Sequence, residues 1–188
     1  MMEREGATYV KPSAVKVVAL AAVTSAITGL GFLLTAPIPL IPGAIHWRVL
    51  AFLPCIFGIF FGPGVGFISG AIGNTLWALL GGYFNLATPI FDLTGVGLTG
   101  LIPGLFVKPH ECNSLAGLAK AALVSFVAGM IMVPIVAVGF DLVGVAPFIP
   151  ACVFLILSDI PPIVIGTPVV AKGLAPTLLR RGLLRERL

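Results

Sequence analysis

Between Arg48 and Asp92 the chain runs 43 residues without a charged side chain, and that interval constrains the fold more than any other feature. A membrane-spanning helix needs about 20 apolar residues, so the interval holds two spans if a turn divides it. Phe61-Gly62-Pro63-Gly64 supplies that turn, because glycine and proline punctuate helices. The rest of the chain follows the same rhythm. Charged residues make up only 10% of the sequence, against about 25% in soluble domains, too few to clothe a soluble core of 188 residues.

Read between its charges, the sequence predicts an all-α integral membrane protein, a single domain of six transmembrane helices. The spans fall at about residues 15–35, 47–61, 64–83, 89–107, 116–140 and 147–171, followed by a basic amphipathic tail over 172–188. Three prolines over 36–43 remove backbone donors and mark an apolar loop at the membrane surface. The second span is short and contains Pro54. The fifth is expected to kink at Pro134. The sixth is the least regular, with Asp159 near its middle and Pro161-Pro162 just after. The N-terminus does not read as a cleaved signal peptide, since two acids flank its arginine and the apolar stretch is too long for an h-region.

Six spans put both termini on one side, and the bases indicate which. Alternating spans assign Arg4, Lys11, Lys16, Lys108, Lys120, Lys172, Arg180, Arg181, Arg185 and Arg187 to one face and Arg48 alone to the other. By the positive-inside rule the expected orientation is N-in and C-in, in the cell membrane. Gly62, Gly66 and Gly70, with Asn74 next, recur every fourth residue, a spacing that lets helices approach closely.

Chemistry is confined to a few polar groups. A carboxylate at mid-membrane costs roughly 2.5 to 3.5 kcal/mol to insert, so Asp159 needs a partner or a watery cavity, as a ligand group or as an interhelical hydrogen bond. Asn74 poses the same choice more weakly. On the outward side gather His46, Trp47, Arg48, Trp77, Tyr83, Asn85, Asp92 and Asp141. Aromatic rings with paired charges suit a pocket for a small polar molecule, and Trp47 and Tyr83 equally suit an interfacial aromatic belt.

No nucleophile elbow, paired-histidine zinc motif or phosphate loop is present, so no catalytic residue and no cofactor is expected. His110-Glu111-Cys112 lies too close together in sequence to enclose a metal. Cys55, Cys112 and Cys152 read as small apolar packers.

Residues 53–74, from Leu53-Pro54-Cys55 through Phe61-Gly62-Pro63-Gly64 to Gly73-Asn74, resemble the second and third helices of substrate-binding S components of energy-coupling factor (ECF) vitamin transporters. Ala22-Val23-Thr24-Ser25-Ala26 is similar to that family's Ala-x-x-x-Ala interface motif. The resemblance implies capture of a vitamin or related micronutrient from outside. It also implies association with a transmembrane T component, which Ala22 and Ala26 would face, and with two cytoplasmic ATPases that hydrolyse the ATP. Nucleic acid is not an expected partner; membrane lipid is. Acids with aromatic rings would suit a cationic aromatic ligand, Arg48 and His46 an anionic one. Two other readings stay open. A structural subunit of a membrane complex would pair Asp159 internally and open no cavity, and a lipid-modifying enzyme would bring a nucleophile and base together.

Overall fold

The computed structural model describes residues 14–35, 38–41, 45–86 and 88–181. Arg4, Lys11, Arg185, Arg187, the prolines at 37 and 42, and the tail from 182 onward lie outside the described residues. Among the described residues are six α-helices: α1 (Ala14–Thr35), α2 (Leu53–Phe61), α3 (Pro63–Gly81), α4 (Leu93–Phe106), α5 (Leu115–Leu142) and α6 (Phe148–Arg180). Five segments are long and apolar enough to cross a membrane: Ala14–Thr35, Pro63–Gly81, Pro89–Phe106, Leu115–Leu142 and Phe148–Leu178. The nine residues of α2 extend about 14 Å, roughly half the hydrocarbon thickness.

The apolar segment expected as a loop after α1 holds strand β1 (Pro39–Ile41), which pairs antiparallel with β2 (Ile45–His46) just beyond that segment. Its extended backbone is bonded onward by Trp47 N–H to the Ile38 carbonyl at 3.0 Å. The start of the segment expected as the second span, residues 47–52, is irregular chain and turn, because the chain becomes helical only at Leu53. Pro54 then sits in the first turn, where its missing N–H removes no helical bond.

Gly62 ends α2 at φ 104°, a conformation costly for any residue with a Cβ, and Pro63 opens α3 at once. At the far end of α3, Gly82 takes the left-handed cap and Tyr83 N–H returns to the Ala78 carbonyl at 2.8 Å, closing the helix. Asp92 ends a π-helical turn, Thr88–Asp92, that leads into α4. Helix α6 runs unbroken through Pro161, Pro162, Pro168 and Pro176, so the segment expected as the start of a separate tail continues the last helix to Arg180.

Glycines bring α2, α3 and α4 into backbone contact. A Cβ on Gly58 or Gly66 would run into the Gly100 carbonyl, and one on Gly100 into the Gly66 backbone. The same device joins α1 to α3, where a Cβ on Gly29 would lie 2.9 Å from the Gly73 carbonyl. Beside that contact Thr28 and Ser69 share a hydrogen bond of 2.7 Å between hydroxyls, and Ser25 donates to the Ile68 carbonyl at 3.2 Å. Close packing and polar pairing of this kind hold helices together where lipid removes the hydrophobic drive. The opposite face of α1 is open and carries Ala22 and Ala26.

Between α4 and α5, Glu111 accepts from Lys108 N–H at 3.0 Å and pairs with Lys120 at 3.0 Å. The Lys120 side chain is 44% exposed, so Lys120→Ala is expected to cost less than about 1 kcal/mol in a melting curve. A loss above 2 kcal/mol would show a deeper role for the loop.

Candidate functional site

The chain from Ile45 to Arg48 crosses the bundle on the side where α3 ends and α4 begins, and the polar groups converge beneath it. Arg48 is 7% exposed and Asp159 on α6 is 1% exposed. Arg48 Nε donates to Asp159 Oδ1 at 3.0 Å and Nη2 to Oδ2 at 2.5 Å, the bidentate geometry that a planar guanidinium favours. Its Nη1 donates to Asn74 Oδ1 at 2.7 Å. The guanidinium also lies 5.3 Å from the Phe32 ring centre and 5.4 Å from that of Trp77, so aromatic faces cover the cation. The Ser158 hydroxyl reaches the His46 carbonyl at 2.6 Å and Asp159 Oδ1 at 2.9 Å. Two neighbouring residues of α6 thus hold both ends of the His46–Arg48 segment.

Next to this cluster is a cavity lined by Ile45, His46, Arg48, Asn74, Trp77, Asp92, Val96, Val136, Phe140 and Leu155. Its open space is about 10 Å³, room for roughly one water. Among the described residues, His46 Nδ1 and Trp77 Nε1, two buried polar atoms in its wall, find no hydrogen-bond partner. Such atoms cost about 1 to 3 kcal/mol each when left unsatisfied, and that is recovered when a ligand supplies the missing partner. Tyr83 backs the wall. Its ring centre lies 4.2 Å from that of His46 and 5.1 Å from that of Trp77.

His46 lies outside the helices. Burial first, and then the Arg48 guanidinium, push its pKa below the ordinary 6.5. The unfolded chain therefore binds a proton that the native state refuses, and stability falls as pH drops through about 6.5 towards the lowered native value. Melting temperature measured from pH 7.5 to 5.5 is expected to fall, and His46→Gln is expected to flatten part of that slope.

Six of the residues singled out from the sequence meet here: His46, Arg48, Asn74, Trp77, Asp92 and Asp159, with Tyr83 behind them. Trp47, adjacent in sequence, turns the other way and is 41% exposed, as an interfacial aromatic would. Asp141 is exposed at the end of α5, and Asn85 is half-buried and donates to the Tyr83 carbonyl at 3.3 Å. None of these three lines the cavity. The wall also uses Val96, Val136, Phe140 and Leu155, and Phe32 covers Arg48. These are apolar residues among many, with no sequence signal to set them apart. Ser158 beside Asp159 had such a signal, a hydroxyl next to a buried acid.

Among the described residues no catalytic constellation accompanies these groups. An internally held cation, aromatic walls and polar atoms awaiting partners, set within apolar helices, define a membrane-embedded binding protein. The model of the family "ECF-type riboflavin transporter, S component" matches residues 12–175, and the chain belongs to that family. It is a multi-pass plasma-membrane protein, the substrate-binding subunit of an ECF transporter, and a transport subunit and not an enzyme. A search of curated proteins returned no match.

Proposed function

We propose that the chain captures riboflavin, or a related heteroaromatic vitamin, from outside the cell and delivers it inward together with a T component and two ATPases. The single observation that supports this most is the pair of unpartnered polar atoms, His46 Nδ1 and Trp77 Nε1, in the wall of a buried aromatic cavity. The family match supports the vitamin class. In this reading both termini are cytoplasmic, as the distribution of bases argues, and the turn from Trp47 with α2 makes up the second of six crossings, at residues 47–61. Ala22 and Ala26, on the open face of α1, meet the T component.

Internal pairing of Asp159 was the mark of a purely structural subunit. Here the pair stands beside a cavity whose wall still lacks hydrogen-bond partners, which a structural subunit has no reason to keep. The open space is far too small for a vitamin, so binding displaces wall side chains. The experiment is to purify the protein in detergent, denature it and identify the released small molecule. A flavin at near-equal molar amount supports the reading. An empty protein whose melting temperature no vitamin raises would sink it.

Trp77→Phe tests the site itself. It keeps an aromatic ring and deletes the unpartnered N–H, so affinity for the captured ligand is expected to fall about tenfold, the worth of one good hydrogen bond. Stability of the empty protein is expected to change by less than about 1.5 kcal/mol. Unchanged affinity would remove Trp77 Nε1 from the site.

A further inference from the structure

His46 and Trp77 are in the cavity wall and Tyr83 is not, yet the Tyr83 ring packs on both. Its plane is tilted 40° to His46, with 4.2 Å between ring centres, and 37° to Trp77, with 5.1 Å. His46 and Trp77 meet each other edge-on, 5.6 Å apart at 77°. The three rings close a triangle, and two of them carry the polar atoms of the wall. The torsion that turns an imidazole or an indole about its Cβ–Cγ bond is soft, and such a turn would carry Nδ1 or Nε1 away from the cavity. Ring contacts at these distances resist it.

The local sequence accounts for the place of the Tyr83 ring. Helix α3 ends at Gly81, Gly82 takes φ 73°, and Tyr83 N–H returns to the Ala78 carbonyl at 2.8 Å, so the chain reverses over the last turn of the helix. The reversal lays the ring over Gly81, where a Cβ would run into its Cδ2 and Cε2 atoms. A side chain at 81 would therefore compete with the ring for the same space. Alanine is the better helix former, so glycine at this position answers to the ring and not to the helix. Beyond the reversal, Asn85 donates to the Tyr83 carbonyl at 3.3 Å.

We propose that Gly81 and Tyr83 are positioning residues for ligand capture: the bare position at 81 admits the folded-back Tyr83 ring, and that ring fixes His46 and Trp77 so that Nδ1 and Nε1 meet the ligand. Both residues act through the wall. The inference rests on the reading of the chain as a capture subunit, and it also has a consequence without ligand. Tyr83 is half-buried just past the end of α3, so a methyl group at 81 pushes its ring outward instead of separating helices, and Trp77 loses that cover.

The probe is riboflavin, titrated into the purified full-length protein in detergent and followed by flavin fluorescence. Gly81→Ala and Tyr83→Ala are each expected to weaken binding about tenfold, the upper range for a lost aromatic contact. The double variant is expected to bind within about twofold of Tyr83→Ala, because the methyl group acts only by moving the ring. Tyr83→Phe keeps the ring and is expected to recover most of the affinity that Tyr83→Ala loses. Without ligand, Trp47→Phe leaves Trp77 as the sole tryptophan, and adding Gly81→Ala is expected to shift its emission to the red. Unchanged affinity in Gly81→Ala, losses that add in the double variant, or an unmoved Trp77 emission overturns positioning while leaving capture standing. If Gly81→Ala fails to fold, the two Tyr83 variants decide: equal losses in both overturn the role of the ring. Wild-type protein that binds no riboflavin overturns flavin capture and this inference with it.

Discussion

Arg48→Met is expected to destabilise the protein by about 3–5 kcal/mol, the cost of leaving a buried carboxylate without its partner. Asp159 is 1% exposed and, with Arg48 removed, its remaining side-chain partner among the described residues is the Ser158 hydroxyl at 2.9 Å. The comparison that isolates the cause is the double variant Arg48→Met/Asp159→Leu, which removes both charges and is expected to recover most of the loss, because apolar side chains of similar size replace a buried ion pair well. Ligand binding should be absent from both. Reversible unfolding in mixed micelles reads the stabilities. A single variant that lost less than 1 kcal/mol, or a double variant no better than the single, would mean that the pair does not fix the His46–Arg48 segment.

Gly100→Ala is the second large effect, expected to cost about 3 kcal/mol or more, the upper range for overpacking. The added methyl group meets backbone atoms of Gly66, which cannot rotate away as a side chain can. Helices α3 and α4 would have to separate, and Gly58 on α2 lies at the same crossing. The control is Gly173→Ala in α6. Nothing lies within 4 Å of that position, so the change is expected to be neutral or to stabilise by up to about 1 kcal/mol through helix propensity. Equal effects at both positions would show that propensity and not packing governs these glycines.

Much of the framework could be read from spacing. The Gly62-Pro63 break, the long apolar helices and the four-residue glycine period were visible because each follows from local backbone chemistry. The length of α2 was not. Hydropathy sees apolar residues from Trp47 onward and cannot tell that residues 47–52 form a turn, with Ala51 N–H bonded to the Arg48 carbonyl and Leu53 N–H to that of Leu50, before the helix starts. Nor did proline content limit α6: an interior proline costs about 3 kcal/mol of helix propensity, yet the helix continues through all four, packed along α5. At the site, Asp159 and Arg48 stood out as charges that lipid forbids, although 111 residues of separation gave no hint that each was the other's partner. The decision between a cationic and an anionic ligand was open for the same reason. It turns on whether Arg48 is already neutralised, which only the fold determines.

The four prolines of α6 have a mechanical consequence. Proline donates no backbone hydrogen bond, so Pro161 and Pro162 leave the carbonyls of Leu157 and Ser158, four residues earlier, without their helical donors. The gap lies immediately before Asp159. Flexing a helix is least costly where its column of hydrogen bonds is already interrupted, so α6 is most compliant beside the carboxylate that grips Arg48. A small bend there would swing Asp159 and Ser158 together, loosening both ends of the segment over the cavity in one movement.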